Sequence, residues 1–440
     1  MFDPDGSACR RCFCPENWEI TAMKKLKSGI AFNVSMLYIM NIAKLVFPLI
    51  TLPYLTRVLS VDSYGVVSYV KATMVYAQLV IDFGFMLSGV KSIAQSREDM
   101  DRVSVITGNI IIAKGMLAVA SLAFIIAAAF LIEILRDNLV YTILAFVPIF
   151  LSIFLLEFLF RGLELMHIVA VRYVIMKSIS VGLTLVLVKG DGDILWIPML
   201  DILSSLVAVV LTLWEVKKLG IKISFAESVK GGWASLKVSS VYFVSEAATT
   251  VFGALNTVLV GIFMDKADVA YWAVCLQLVS AVRAMYTPIN NGIYPQMIKT
   301  KDINIIKKTV KIFLPIVVVG CLIVLIFAEQ ILVIAGSAKY AAAAPVMRCL
   351  VPVLFFSFPA MLLGWPTLGA LDKVKETTKT TLAAAFVQIA GLVVLGLTDN
   401  FEIMLVALMK SFTEMCLMGF RLRYCLKYKD EFAVGKKEEA

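Results

Sequence analysis

Histidine is almost absent: His167 is the single one in 440 residues, which excludes a histidine relay, a Ser-His-Asp triad or a His-rich metal centre. Charge is scarce as well, at 17% of residues where a soluble domain carries about 25%. No G-x-x-x-x-G-K-[ST] phosphate loop occurs, so ATP hydrolysis by that route is excluded. Gly190-Asp191-Gly192-Asp193 lacks the third glycine of a dinucleotide fingerprint and reads as a hairpin between two apolar runs. A disulfide framework is missing too: Cys275, Cys321, Cys349 and Cys416 sit inside apolar runs as small hydrophobes, and Cys9, Cys12 and Cys14 have no nearby fourth ligand for zinc. The sequon Asn33-Val34-Ser35 falls inside an apolar run, where it cannot be glycosylated.

What the chain has in excess is apolar surface. Hydrophobic residues make up 60% of it, against about 45–50% for a soluble domain, and the mean hydropathy is +0.89. That composition demands a bilayer as solvent. A spanning helix takes about 20 apolar residues, and twelve such runs are bounded by charges or turn residues: 29–54, 64–88, 103–132, 139–160, 168–188, 194–214, 238–264, 270–293, 309–334, 341–371, 380–397 and 401–424. The polar, cysteine-rich stretch 1–22 differs from everything after it, and Met23-Lys24-Lys25-Leu26-Lys27 reads as a natural start with a basic flank, so 1–22 is expected to be a non-native or disordered leader.

The net charge of +9 follows from orientation rather than from a nucleic-acid partner. With both termini cytoplasmic, nearly all Lys and Arg of the connections fall inside, leaving chiefly Arg57, Arg136, Lys189, Lys266 and Lys339 outside. The basic connection 215–237 lies at the midpoint with six spans on each side. The expected fold is therefore an all-α polytopic membrane protein of two six-helix lobes, 23–214 and 238–426, with a cytoplasmic tail at 427–440.

Polar residues within spans are expensive and mark cavities or partners. Asn33, Asn41, Lys44, Pro48 and Thr51 share one face of the first helix. Tyr64, Ser68, Lys71, Gln78 and Asp82 form a stripe on the second; Tyr242, Glu246, Thr249 and Asn256 do so on the seventh, and Ser280, Arg283, Thr287 and Asn290 on the eighth, which Pro288 interrupts. Corresponding helices of the two halves thus present polar stripes, either lining a shared aqueous cavity or acting as packing glue between helices. Lys410 and Glu414, four apart, suit an internal pair or a cavity role equally. Glu157, Lys114, Lys177 and Asp201 lie near enough to helix ends to reach the interface. Pro345, Pro352, Pro359 and Pro366 recur every seven residues on one face and should let the tenth helix bend.

Pro53-Tyr54-Leu55-Thr56-Arg57-Val58-Leu59 with Tyr64-Gly65, Asp82-Phe83-Gly84-Phe85, Phe158-Leu159-Phe160-Arg161-Gly162, Leu255-Asn256-Thr257-Val258, Tyr286-Thr287-Pro288 to Tyr294-Pro295, and Tyr340-Ala341-Ala342-Ala343-Ala344-Pro345 together resemble Wzx-type O-antigen and polysaccharide flippases. Arg161 departs from the glutamine more usual there. The resemblance implies the superfamily of multidrug and toxin exporters and lipid II flippases, and a non-enzymatic carrier in the bacterial inner membrane. Its substrate would be an undecaprenyl-diphosphate-linked oligosaccharide, with a polysaccharide polymerase and chain-length regulator as potential partners. On that reading Lys44, Lys71, Arg283 and Lys410 contact the diphosphate, because Arg and Lys give charge-assisted bonds to phosphate. Asn41, Gln78, Asn256 and Asn290 accommodate glycan. Asp82 and Glu246 couple a proton or sodium ion, no other cofactor being expected, and Pro48, Pro288, Pro352 and Pro359 serve gating. The rival readings are a multidrug or metabolite cation antiporter of the same fold, a polysaccharide polymerase or glycosyltransferase, for which the external connections are too short, and a non-transporting scaffold.

Overall fold

A computed structural model describes residues 15–225, 228–398 and 400–432, the side chains of 15–31, 34, 228, 244–246 and 248–252 excepted. The leader expected over 1–22 falls partly outside these residues; from Pro15 onward the backbone belongs to the first helix. The chain runs through α1 (Pro15–Val58), α2 (Val61–Asp82), α3 (Phe85–Gln95), α4 (Met100–Leu131), α5 (Glu133–Asp137), α6 (Leu139–Leu151), α7 (Glu157–Gly162), α8 (Met166–Leu187) and α9 (Trp196–Lys218). It continues through α10 (Ser228–Phe263), α11 (Lys266–Ala284), α12 (Tyr286–Thr300), α13 (Ile303–Ile326), α14 (Ala328–Ala335), α15 (Ala344–Leu362), α16 (Val374–Leu397) and α17 (Ile403–Lys427). Among the described residues, 11 helical segments are long and apolar enough to cross a membrane, and Gly253–Phe263 within α10 is a shorter apolar stretch.

Several runs that read as single spans are broken. The apolar run 64–88 divides at Phe83 (φ 38°) and Gly84 (φ 74°), both left-handed. Gly84 is needed twice over, because a Cβ there would lie 2.7 Å from the Phe243 nitrogen on α10. Phe83 is held in its strained conformation by stacking on Phe243, ring centroids 4.4 Å apart. The run 139–160 breaks at Leu156 (φ 49°), between a 3-10 turn and α7. Between α11 and α12 the break comes at Met285, where Pro288 has no N–H for the Ala284 carbonyl.

Two helices of the first half start on side-chain caps. Ser60 accepts from the Ser63 N–H at 3.2 Å to start α2, and Asp99 accepts from the Arg102 N–H at 2.9 Å to start α4. The connection expected over 215–237 is mostly helical: α9 runs into it and α10 begins within it at Ser228. At 36 residues α10 is about 54 Å long and overreaches the roughly 30 Å hydrocarbon layer. The extended residues just before it lie on α4, with the Ser224 N–H donating to the Ser104 carbonyl at 3.2 Å. Gly108 permits this, since a Cβ would sit 1.9 Å from the Ser224 carbonyl oxygen.

Burial ranks the helices. The hydrophobic window of the span holding α15 is 56% buried, between α11, α13 and α17, whereas that of α13 is 11% buried and faces lipid. Trp272, Tyr69 and Tyr340 are fully enclosed, while Phe130, Leu131, Phe386 and Leu397 point outward. Helix α2 packs on α10 and α11, joining the first and second halves of the sequence.

Candidate functional site

A chamber of about 500 Å3 opens among α1, α2, α6, α8 and α9. Its polar wall is Thr51, Lys71, Gln78, Tyr141, Lys177 and Asp201. Asp201 accepts from the Ser180 hydroxyl at 2.6 Å and holds Lys177 at 3.4 Å on the same oxygen. Lys71 projects from α2 into the open volume. Lys44 lies beside the chamber, its ammonium 5.5 Å from the centroid of the Tyr173 ring that lines it. Two lysines and one carboxylate on its wall leave the chamber with positive character, and the lining tyrosines Tyr141 and Tyr173 carry further hydroxyls.

Below the chamber α2 ends on a charge pair. Asp82 accepts from Lys114 of α4 at 2.7 Å and from Gln78 at 2.7 Å, and Gln78 also reaches the Ser152 hydroxyl at 3.2 Å. Lys114 is 5% exposed, so it is a buried partner and not a side chain reaching for the interface. Lys177 and Asp201, also expected to reach outward, pair with each other across the chamber wall, and Glu157 binds Arg161 at 2.5 Å. Arg172 is buried on α8, donating to the Leu155 carbonyl and to the Thr212 hydroxyl at 2.8 Å.

A second cluster occupies the other half of the chain. Arg283 of α11 binds Glu414 of α17 at 3.1 Å, with Lys410 one turn before Glu414. To Lys410 and Glu414, for which an internal pair and a cavity role were both open, the structure adds a third member: the ion-pair partner of Glu414 comes from another helix. Gln388 of α16 donates to Asn256 of α10 at 3.0 Å and accepts from the Thr413 hydroxyl at 2.6 Å, a polar chain through three helices. Asn256 Nδ2, Asn290 Oδ1 and Glu414 Oε2 are buried without a partner among the described residues. Arg421 donates to the Ala360 carbonyl at 2.6 Å and to Thr381 at 3.1 Å, beside the break at Gly364 (ψ −112°).

One end of the bundle is fastened across the two halves. The Thr56 hydroxyl lies 2.7 Å from the Leu52 carbonyl and 2.9 Å from the Gly336 carbonyl, and Arg57 donates to the Ile334 carbonyl at 2.9 Å. Lys339 reaches the Leu59 carbonyl at 3.2 Å, and Tyr340 stands edge-on to both Tyr64 and Tyr271.

The four expected phosphate contacts therefore separate into Lys71 and Lys44 at the chamber and Arg283 and Lys410 around Glu414. Gln78 lines the chamber, Asn256 and Asn290 are buried in the second half, and Asn41 is exposed on α1. The side chain of Glu246 lies outside the described residues. Helix α1 continues through Pro48, which lines the chamber, and α15 through Pro352 and Pro359; the break in that region comes at Gly364, in the segment Leu363–Leu368 that also holds Pro366. Asp201, Tyr141, Tyr173, Arg172 and Gln388 were not singled out as site residues, and nothing local in the sequence marks their partners.

Apolar spans around polar interior clusters define a helical membrane protein; in a bacterial cell such a helical bundle belongs to the inner membrane, since outer-membrane spans are barrel strands. The chain belongs to the polysaccharide biosynthesis protein family, whose model matches residues 30–301. It is 24% identical over 409 residues to the "Putative O-antigen transporter" of Escherichia coli (strain K12), covering 91% of this chain and 98% of that one. To a protein of the same name from Shigella dysenteriae it is 27% identical over 268 residues, 61% of this chain and 67% of that one. Its fold is that of an inward-facing multidrug resistance MATE family transporter of the MOP superfamily (TM-score 0.66, 13% identity, 93% of this chain and 100% of that one). The lipid II flippase MurJ in an inward closed conformation superposes equally well (TM-score 0.66, 14% identity, 90% and 87% covered). These relatives are transporters and flippases, and the chain stands with them, apart from enzymes.

Proposed function

We propose that this protein flips an undecaprenyl-diphosphate-linked oligosaccharide from the cytoplasmic to the outer leaflet by alternating access of two six-helix lobes, with twelve spans and both termini in the cytoplasm. The observation that carries this reading is Lys71, a cation open to a hydroxyl-lined chamber inside the membrane. A diphosphate cannot cross hydrocarbon unaided, and an intramembrane ammonium with nearby hydroxyl donors offsets that desolvation. Lys44 beside the chamber extends the positive field, and Lys177, shared with Asp201, borders it. A chamber of this charge is ill suited to cationic drugs, which speaks against the antiporter reading.

The fastening of Thr56, Arg57 and Lys339 onto the 334–336 region lies at the end that the basic connections assign to the outside, which supports a state closed outward. Coupling falls to Asp82, and to Glu246 in the second half: a proton or sodium ion at Asp82 would compete with Lys114 and loosen the α2–α4 contact. The test is complementation of a flippase-null strain. Lys71→Ala at normal membrane abundance is expected to lower surface polysaccharide at least tenfold, with Lys71→Arg retaining much of it. Full complementation by Lys71→Ala would remove the chamber from the transport path.

A further inference from the structure

On the lipid-facing flank of the α16–α17 hairpin, two hollows share one seam. Where α17 ends, Lys379, Arg423 and Lys427 surround a hollow of about 610 Å3, with Phe420, Tyr424 and Ala383 between them. All three cations are exposed. The carboxylates nearby are engaged elsewhere: Glu431 binds Lys373 at 2.9 Å and Glu376 accepts from the Tyr428 hydroxyl at 3.5 Å. Further along the same helices, Phe386, Ala390 and Val394 face Leu405, Leu408 and Phe412 across an apolar groove of about 610 Å3. Positions 379, 383, 386, 390 and 394 recur every three or four residues, as do 405, 408, 412, 416, 420, 423 and 427, so each helix contributes one continuous stripe. The polar residues Gln388, Thr413, Glu414 and Arg421 point to the other side, into the protein.

We propose that this seam binds a resident anionic phospholipid, its phosphate held by Lys379, Arg423 and Lys427 and its acyl chains laid along Ala383, Phe386 and Ala390. Three cations that form no ion pair among the described residues complement a phosphate at the membrane surface. Small exposed side chains at Ala383 and Ala390 leave the depth that a hydrocarbon chain fills. Ten residues of helix beyond Lys379 rise about 15 Å, the thickness of one leaflet's share of the roughly 30 Å hydrocarbon layer. Past the mouth the groove is apolar, so a charged headgroup cannot follow its tail along it. The seam therefore suits a lipid that stays, and it lies on the opposite side of α16 and α17 from the polar interior that a transported headgroup would need. This assignment is independent of what the chamber carries.

Native mass spectrometry of the full-length protein in mild detergent, titrated with phosphatidylglycerol and with phosphatidylcholine as neutral control, tests it. Phosphatidylglycerol is expected to bind the more tightly. Each alanine at Lys379, Arg423 or Lys427 should weaken it about fivefold, and the triple variant on the order of a hundredfold. Ala390→Trp, which fills the groove and leaves the cations intact, should also weaken it. Both sets of positions are exposed, and a monodisperse elution profile confirms folding. Equal binding of the two phospholipids, wild-type affinity in the triple variant, or displacement of phosphatidylglycerol by equimolar undecaprenyl phosphate would overturn the assignment.

Discussion

The chamber around Lys71 and the cluster around Glu414 are built from similar side chains and arranged in opposite ways. In the first, Lys71 faces open volume while Lys177 and the Ser180 hydroxyl hold Asp201; in the second, Arg283 and Glu414 close on each other at 3.1 Å, and Asn256 Nδ2, Asn290 Oδ1 and Glu414 Oε2 are packed away. An open cation keeps its capacity for an anionic ligand, whereas a matched pair contributes packing and register. Chemistry near a membrane's interior is thus decided less by which charges are present than by whether each already has a partner.

That contrast can be broken by removing partners. The largest effect on stability is expected for Glu414→Ala, which strands Arg283 and should lower unfolding free energy by about 2–3 kcal/mol; Arg283→Met with Glu414→Met should recover most of it. Thermal melts in detergent give both values, and an unchanged melt for Glu414→Ala would show that the pair holds nothing together. Lys114→Met strands Asp82 in the same manner at about 2 kcal/mol, with Asp82→Asn as the compensating change. Near the chamber the effects shrink. Lys44→Met gives up a 5.5 Å cation–π contact and should shift stability by about 0.5 kcal/mol; a loss several times larger would mean that the chamber wall depends on Lys44 structurally.

Much of the fold was readable, because apolar runs and their charged boundaries report directly on spans. The stripe of Lys71, Gln78 and Asp82 was readable for the same reason: helical periodicity puts residues three, four and seven apart on one face. Its partners were not. Lys114 lies 32 positions from Asp82, Asp201 24 from Lys177, and Thr212 40 from Arg172, separations that only tertiary packing brings together. The breaks were readable where a backbone donor is missing, as at Pro288, and unreadable at Leu156, an ordinary residue forced left-handed by its surroundings. Prolines signalled unevenly: α1 passes Pro48, and α15 passes Pro352 and Pro359, without interruption, while the tenth helix breaks at Gly364, in the segment Leu363–Leu368 that holds Pro366, the last proline of the seven-residue series.

The central claim is that the open cation of the chamber receives the diphosphate. Its most direct measurement is the leaflet distribution of an undecaprenyl-diphosphate oligosaccharide in proteoliposomes holding equal amounts of wild-type and Lys71→Met protein. The account predicts a translocation rate at least tenfold lower in Lys71→Met with an unchanged melting temperature. A wild-type rate in that variant would contradict it.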